Sequence, residues 1–168
     1  MLLAIAQSVV ASGEPENNVR LYGALVAEPC VILPGEDEIQ LDFGTVIDKY
    51  LYLNTRTLGQ PFEIHLAECD LSLGQMVKIT FIGTENTALP GLLAIDGSGG
   101  ASGIAIGLET LKSVPLPLNK PSDFYPLQMG NTRITLKAYV QGEPEAIAEM
   151  RIGRGPFSTT TTFRLEYE

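Results

Sequence analysis

Residues 161–168 read Thr161-Thr162-Phe163-Arg164-Leu165-Glu166-Tyr167-Glu168. Apolar side chains at positions 163, 165 and 167 alternate with polar ones, which is the pattern of a half-buried β-strand. The alternation continues to the last residue of the sequence. We therefore expect a closing strand that has no partner strand after it, and an edge of the sheet that stays open.

A second alternating segment lies at the other end of the chain. Residues 19–26 read VRLYGALV, with Val19, Leu21 and Leu25 on one face and Gly23 between them. A glycine inside a strand costs conformational entropy, so it indicates close approach of another backbone; a simple bulge is the alternative. We expect the N-terminal segment of one chain to complete the sheet of the next, which is β-strand addition.

Between these two segments the chain has many short strand candidates. They are residues 39–43, 62–66, 77–82, 91–95, 104–108, 133–140 and 158–167. Clusters of Gly, Pro, Asn and Asp separate them, and only residues 143–150 could form one or two helical turns. This pattern predicts a single all-β domain, an antiparallel β-sandwich.

The charge composition of the chain excludes some classes of binding partner. The chain of 168 residues has 11 basic and 20 acidic residues, a net charge of −9, without a basic cluster. Nucleic acid and anionic membrane surfaces are therefore not expected partners.

Residues 1–11, MLLAIAQSVVA, have the length of the apolar part of a signal peptide but lack its basic start. We interpret them as a truncated signal remnant, with an ordinary buried strand as the alternative.

The two cysteines agree with export. An even cysteine count in a secreted chain usually means a disulfide, here between Cys30 and Cys69, whereas two buried thiols would be expected in a cytosolic protein. A zinc site is not expected, because structural zinc takes four ligands and the chain has only two cysteines and one histidine.

Enzymatic motifs are hard to assemble from this sequence. His65, the only histidine, alternates out of phase with its apolar neighbours, so we expect it to face solvent or to pair with a neighbour. No Gly-x-Ser-x-Gly elbow is present, and the glycine-rich residues 97–103 lack the spacing of a nucleotide-binding loop. The candidate carboxylates are Asp42, Asp48, Glu63 and Glu68. Nothing marks a catalytic pair among them, so we predict no catalytic residue, no metal and no cofactor; an exported β-sandwich hydrolase is the rival from the enzyme class.

Several short motifs, in this order, resemble the chaperone–usher fimbrial subunits, or pilins. They are Gly23-Ala24-Leu25-Val26 before Pro29-Cys30, Leu41-Asp42-Phe43-Gly44, Ile64-His65-Leu66 before Cys69, Val77–Gly83, Gly103–Ile106 and residues 161–167. Gly155, fourteenth from the end, and the penultimate Tyr167 add to the resemblance, which covers residues 19–168. Residues 81–91 resemble the small adaptor pilins of the P-pilus tip.

The resemblance implies an incomplete immunoglobulin-like β-sandwich that lacks its seventh strand and is completed by donor-strand complementation. On this basis the chain divides into the signal remnant (1–11), an N-terminal donor extension (12–26) and a pilin domain (27–168). The donor residues are Val19, Leu21, Gly23 and Leu25. The residues assigned to the C-terminal strand and its chaperone contact are Gly155, Thr161, Phe163, Leu165, Tyr167 and Glu168.

The partners implied are a periplasmic chaperone that lends a strand first, an outer-membrane usher, and neighbouring pilins or an adhesin. The protein would pass through the periplasm to a cell-surface fimbrium. We interpret the chain as a minor, adaptor-type structural subunit. A pilus-terminating anchor pilin and a receptor-binding tip subunit are the alternatives, although a tip adhesin carries a separate lectin domain for which this chain has no room.

Overall fold

The computed structural model describes residues 19–168, and every structural statement below concerns those residues. The predicted signal remnant, residues 1–11, and residues 12–18 of the predicted donor extension lie outside them.

Seven strands and two short helices make up the described chain. In order they are α1 (Asp48–Asn54), β1 (Gln60–Cys69), β2 (Met76–Ile82), β3 (Leu93–Ala94), β4 (Ile104–Thr110), β5 (Tyr125–Pro126), β6 (Gly130–Gly142), α2 (Pro144–Ala148) and β7 (Thr162–Tyr167).

The strands form two sheets in which every pair is antiparallel. One has the order β1-β6-β4-β3 and the other β5-β2-β7. Strand β6 is central in the larger sheet and strand β2 in the smaller one. The predicted antiparallel β-sandwich is therefore confirmed.

Apolar side chains from both sheets meet in one core. Its fully buried members include Ile64, Leu66, Ile79, Leu136 and Val140, which alternate along β1, β2 and β6 with residues on the outer faces. The alternation holds because successive side chains of a strand point to opposite sides of the sheet. The core therefore fixes the register of the inner strands.

Several predicted strands are shorter than expected or are not strands in the structure. Residues 91–95 contain only the two-residue β3, and residues 158–167 contain β7 preceded by an irregular stretch. Residues 19–26 and 39–43 have no regular secondary structure, because no described strand pairs with either. Their side-chain alternation indicated an extended backbone, but a strand also needs a hydrogen-bonded neighbour.

Helix α1 was not predicted from the sequence. Its seven residues, DKYLYLN, begin after Ile47 without a side-chain cap and end before Thr55, whose φ is 72°. Only Leu51 is buried in it. One buried residue in two turns gives no helical periodicity, so packing of Leu51 rather than local sequence stabilises this helix. The predicted helical turns at 143–150 correspond to α2.

Candidate functional site

Strand β7 lies at the edge of its sheet and has an open side. It pairs with β2 from Val77 opposite Tyr167 to Ile82 opposite Thr162, and no described strand pairs with its other side. Phe163, Leu165 and Tyr167 are half-buried against the core. The expectation of a closing strand with one free edge is therefore confirmed for the described residues.

The backbone pattern shows which groups face the open side. Glu168 and Met76 exchange both N–H···O bonds, at 2.9 and 2.8 Å, so they form a hydrogen-bonded pair. In an antiparallel ladder such pairs recur at every second residue. The N–H and C=O groups of Phe163, Leu165 and Tyr167 therefore point away from β2, toward the open edge. The same three residues present apolar side chains inward.

The other wall of the open edge is the segment of residues 37–47. At one end of β7, the Asp70 N–H donates to the Pro29 carbonyl, and Gly74 approaches both Pro29 and Glu168. At the other end, the rings of Phe43 and Phe157 have centroids 6.3 Å apart. The segment thus runs antiparallel to β7 past its open edge.

Half-buried apolar side chains line this wall as well. They are Ile39, Leu41, Phe43 and Val46, with exposed polar residues between the first three. No backbone hydrogen bond links residues 37–47 with β7 among the described residues. We call the space between β7 and this segment the open groove. The sequence predicted the extended conformation of residues 39–43 but not their place as a groove wall.

A cavity of about 210 Å³ lies at the end of the groove near Phe157. Val46, Leu51, Ile104 and Ile152 give it an apolar lining, and Asp48 and Arg154 lie at its polar side. Arg154 donates to Asp48 Oδ2 from Nε and Nη2 at 2.7 Å. These hydrogen bonds, with one from the Lys49 N–H, lower the pKa of Asp48.

The predicted donor residues project away from the domain. Val19 is 85% exposed, Leu21 is 88% and Leu25 is fully exposed, and a Cβ on Gly23 would meet nothing within 4 Å. Three aliphatic side chains on one side of an extended segment are costly to leave in water. Among the described residues, no neighbour of Gly23 explains why a glycine stands at this position.

The disulfide Cys30–Cys69 fixes the point where this extension leaves the domain. Both cysteines are buried, and the adjacent Val31 exchanges two backbone hydrogen bonds with Ala67 at 2.8 Å. The bond links the segment at Cys30 to Cys69 at the end of β1. The extension therefore begins beside Glu168, at the carboxyl end of β7.

The residues assigned to the C-terminal strand lie in three different settings. Thr161 precedes β7 and donates from Oγ1 to the Ile82 carbonyl at 3.0 Å. The main-chain oxygen of Glu168 accepts from the N–H groups of Gln75 and Met76. Tyr167 is half-buried, and burial raises the pKa of its phenol.

Gly155 lies before β7 and is needed inside the domain. Its φ is +146°, and a Cβ there would lie 2.2 Å from the Gly99 carbonyl oxygen. Gly99 in turn would bring a Cβ to 2.3 Å from the Pro156 oxygen. The glycine-rich loop of residues 97–103 thus packs backbone against backbone on this segment, beside the cavity.

Two of the remaining candidate residues for chemistry, His65 and Glu63, are engaged in structural contacts. His65 Nδ1 lies 2.8 Å from Glu36 Oε2, and its Nε2 lies 3.1 Å from Asn131 Oδ1, so it pairs with neighbours as expected. Glu63 pairs with Arg133 at 3.2 Å. In the part of the chain that the structure describes, no three His, Cys, Asp or Glu residues are grouped to hold a metal ion. None of its helices has the length and apolar character to cross a membrane.

Comparison with known proteins identifies the kind of domain that carries this groove. The fimbrial protein family matches residues 19–168. The fimbrial adapter PapK of Escherichia coli is 31% identical over 160 residues, covering 90% of this chain and 88% of its own. The major MR/P fimbria protein of Proteus mirabilis is 28% identical over 168 residues, covering 99% and 93%.

A solved structure supports the same fold. The P pilus rod subunit PapA superposes with a TM-score of 0.71 at 21% identity, covering 84% of this chain and all of that one. The sandwich is thus the incomplete immunoglobulin-like fold expected from the sequence. The chain belongs to the fimbrial protein family, the subunits of chaperone–usher pili.

Proposed function

We propose that this subunit polymerises by donor-strand exchange, accepting a strand in the open groove and donating residues 19–25 to a neighbour. The observation that carries the proposal is the open edge of β7. At this edge, Phe163, Leu165 and Tyr167 present both backbone hydrogen-bonding groups and half-buried apolar side chains to an incoming strand. An isolated edge of this kind is a template for another strand.

The energetics favour such an exchange. Burial of Val19, Leu21 and Leu25 contributes roughly 1.5–3 kcal/mol for each side chain, and each backbone hydrogen bond adds about 0.5–1.5 kcal/mol. Part of this sum offsets the entropy of ordering the extension.

The same edge explains the partners that the family implies. Before assembly the groove needs a temporary strand, which we assign to a periplasmic chaperone, and exchange against the next subunit takes place at an outer-membrane usher. The subunit would pass through the periplasm and end in a cell-surface fimbrium. Its role is structural, without catalysis.

For its place in the fibre we propose a minor, adaptor-type position. The 31% identity with a fimbrial adapter over 160 residues supports this. A rod position is the second candidate, because a major fimbrial protein is similar over 168 residues and a rod subunit shares the fold. Counting copies of the subunit in isolated fimbriae by quantitative mass spectrometry separates the two.

The test of donation uses Gly23. The neighbouring subunit that accepts the extension, held by its chaperone, is mixed with a peptide of residues 17–27, and exchange is followed by loss of the chaperone complex. We expect the wild-type peptide to exchange and the Gly23→Asn peptide to be blocked, with an overpacking penalty of about 1–3 kcal/mol. A Val19→Asp or Leu21→Asp peptide should fail too, since each places a charge against an apolar groove.

An Ala24→Asn peptide is the matched control, because position 24 lies on the other face of the segment and its side chain would point away from the groove. It should exchange like the wild type. Equal rates for the wild-type and Gly23→Asn peptides would refute the donor assignment.

A further inference from the structure

We propose that His65 and Glu36 form a pH-dependent latch, which holds the wall of the open groove to the larger sheet and loosens as the pH rises. The latch acts on the wall, residues 37–47, and not on β7. The inference goes beyond donor-strand exchange, because it concerns the position of the wall and holds whichever strand fills the groove.

The first step is the backbone of residues 32–46, which include most of the wall. On one side of them Val31 exchanges two backbone hydrogen bonds with Ala67, and on the other side helix α1 follows. Between these points the backbone hydrogen bond of the segment is local, from the Glu36 N–H to the Leu33 carbonyl at 2.9 Å. No described strand pairs with the segment. Its backbone is therefore fixed at the two ends and free of the sheets between them.

The second step is the side chains of the same segment. None of them is fully buried, so the apolar ones hold the wall only in part. The hydrogen bonds of Asp42 and Glu38 stay within the segment. Among the described residues, the contact of Glu36 with His65 is the one side-chain hydrogen bond or ion pair that ties residues 32–46 to the rest of the chain.

The geometry of His65 favours a charged ring. Its Nδ1 lies 2.8 Å from Glu36 Oε2, and its Nε2 lies 3.1 Å from Asn131 Oδ1. A neutral imidazole has one N–H donor, whereas a charged imidazole has two. Only the charged ring donates to both oxygens in this arrangement, and one of the two belongs to a carboxylate. The side chain is 16% exposed, so water screens the pair only in part.

The other charges around His65 come from β6, from β1 and from the turn of residues 34–37. Arg133 lies directly opposite His65 on β6, and its charge opposes a charged imidazole. Arg133 is itself paired with Glu63 of β1 at 3.2 Å. Asp37, the second acid of the turn, accepts from the turn backbone. Glu36 is thus the carboxylate in direct contact with the ring.

The direction of the pH effect follows from these contacts. A histidine side chain changes its charge between pH 5 and 8. In mild acid the charged ring attracts the Glu36 carboxylate and donates from both nitrogens. At pH 8 the attraction is lost, and one N–H remains for two acceptors. The wall is therefore held more firmly at pH 5.5 than at pH 8.

The test uses a fluorescent reporter in the wall. The chain has no tryptophan, so Phe43→Trp provides a single emitting side chain at a half-buried wall position. Acrylamide is an uncharged quencher, and its quenching constant measures how often this side chain leaves the core. With the full-length chain and its disulfide intact, we expect the constant to be roughly 1.5- to fivefold higher at pH 8 than at pH 5.5, the range of one partly exposed ion pair.

Variants of the latch are made in the same reporter chain. His65→Gln and Glu36→Gln should each remove most of the pH dependence and give strong quenching at both pH values. Glu68→Gln is the matched control. Glu68 is exposed on β1 and makes no ion pair among the described residues, so its substitution should leave the pH dependence unchanged.

Two further measurements protect the comparison. Leu41→Trp repeats it from a second half-buried wall position, in case Phe43→Trp disturbs the contact with Phe157. Sedimentation at both pH values verifies that each variant has the same oligomeric state as its parent. A difference in quenching is then a difference in the wall and not in assembly.

Three results overturn the inference. They are equal quenching at the two pH values with both reporters, a pH dependence that survives His65→Gln and Glu36→Gln, and a pH dependence that Glu68→Gln removes as well. If in these cases the wild-type peptide of residues 17–27 still exchanges and its Gly23→Asn variant does not, the proposed function stands and only the latch fails. If the peptides exchange equally while the latch variants behave as expected, the donor assignment fails and the latch stands.

Discussion

Two glycines of this chain have opposite settings at the scale of single residues. Gly155 has a φ of +146° and touches the backbone of the glycine-rich loop, whereas Gly23 has open space around it. The first is explained by the domain itself, whereas for the second we propose that the reason lies in a partner. The sequence alone assigned both to assembly, because it does not show which glycine has a neighbour.

We predict that Gly155→Ala lowers the free energy of unfolding by about 2–4 kcal/mol, since the new methyl group overlaps the Gly99 oxygen. Gly130→Ala is the matched control, because Gly130 also has a positive φ, +83°, but nothing lies within 4 Å of its Cβ position. It should lose only about 1 kcal/mol from backbone strain. Urea denaturation measures both, and equal losses would show that the close approach to Gly99 has no energetic weight.

Glu109 carries a buried carboxylate. It holds the side chain of Arg56 on the outer face of the larger sheet. Arg56 donates to it from both terminal nitrogens at 2.9 Å, and Lys137 Nζ is 3.3 Å away. Its side chain is 2% exposed. The hydrogen bonds from Arg56 lower the pKa of Glu109.

A lowered carboxyl pKa gives a stabilisation that is complete above the unfolded pKa, about 4.3, and is lost as the pH falls through the folded value. We predict that Glu109→Gln costs about 1–3 kcal/mol at pH 7 and clearly less at pH 3. Urea titrations of both proteins at the two pH values measure this. A difference between wild type and variant that grows on acidification would contradict the assigned role.

At the scale of elements, the accuracy of the sequence-based prediction follows the number of side chains in each strand that pack on the core. Strands β1, β2, β4, β6 and β7 were predicted because several of their side chains do so. Two-residue strands such as β5 and the short helix α1 leave no periodic signal. Residues 39–43 have the side-chain alternation of a strand, but no described strand pairs with them. They lack a partner because they line the open groove.

The disulfide is the element that holds the start of the domain beside the end of β7. It closes a loop with a sequence separation of 39 residues, worth roughly 4 kcal/mol in the chain-entropy model. We predict that the double variant Cys30→Ala, Cys69→Ala loses about 2–5 kcal/mol of unfolding free energy. Denaturation of the wild type with and without reductant gives the matched comparison. A reduced wild type as stable as the oxidised form would refute this.

At the scale of the whole molecule, the N-terminal extension leaves the domain at the end of the sandwich where the groove also begins. The extension of a chain therefore cannot lie antiparallel to β7 in that chain's own groove. Sequence patterns indicated the two segments separately, as a closing strand and a leading one. Their relative direction came only from the structure, through the contacts of Pro29 and Glu168 with Gly74. On the proposed function, the sandwich is complete only when a neighbour supplies a strand to its open groove.

This incompleteness makes the stability of the subunit depend on its ligand. We predict that the full-length protein alone self-associates, and that an excess of the peptide of residues 17–27 both suppresses association and raises the unfolding temperature. A ligand at a hundred times its Kd stabilises by about 2.7 kcal/mol, which corresponds to roughly 5–10 °C for a domain of this size. The Gly23→Asn peptide at the same concentration should do neither. Scanning calorimetry with light scattering follows both effects. The contradicting outcome is a stable monomer whose unfolding temperature does not change with the wild-type peptide. It would mean that the groove does not accept this extension.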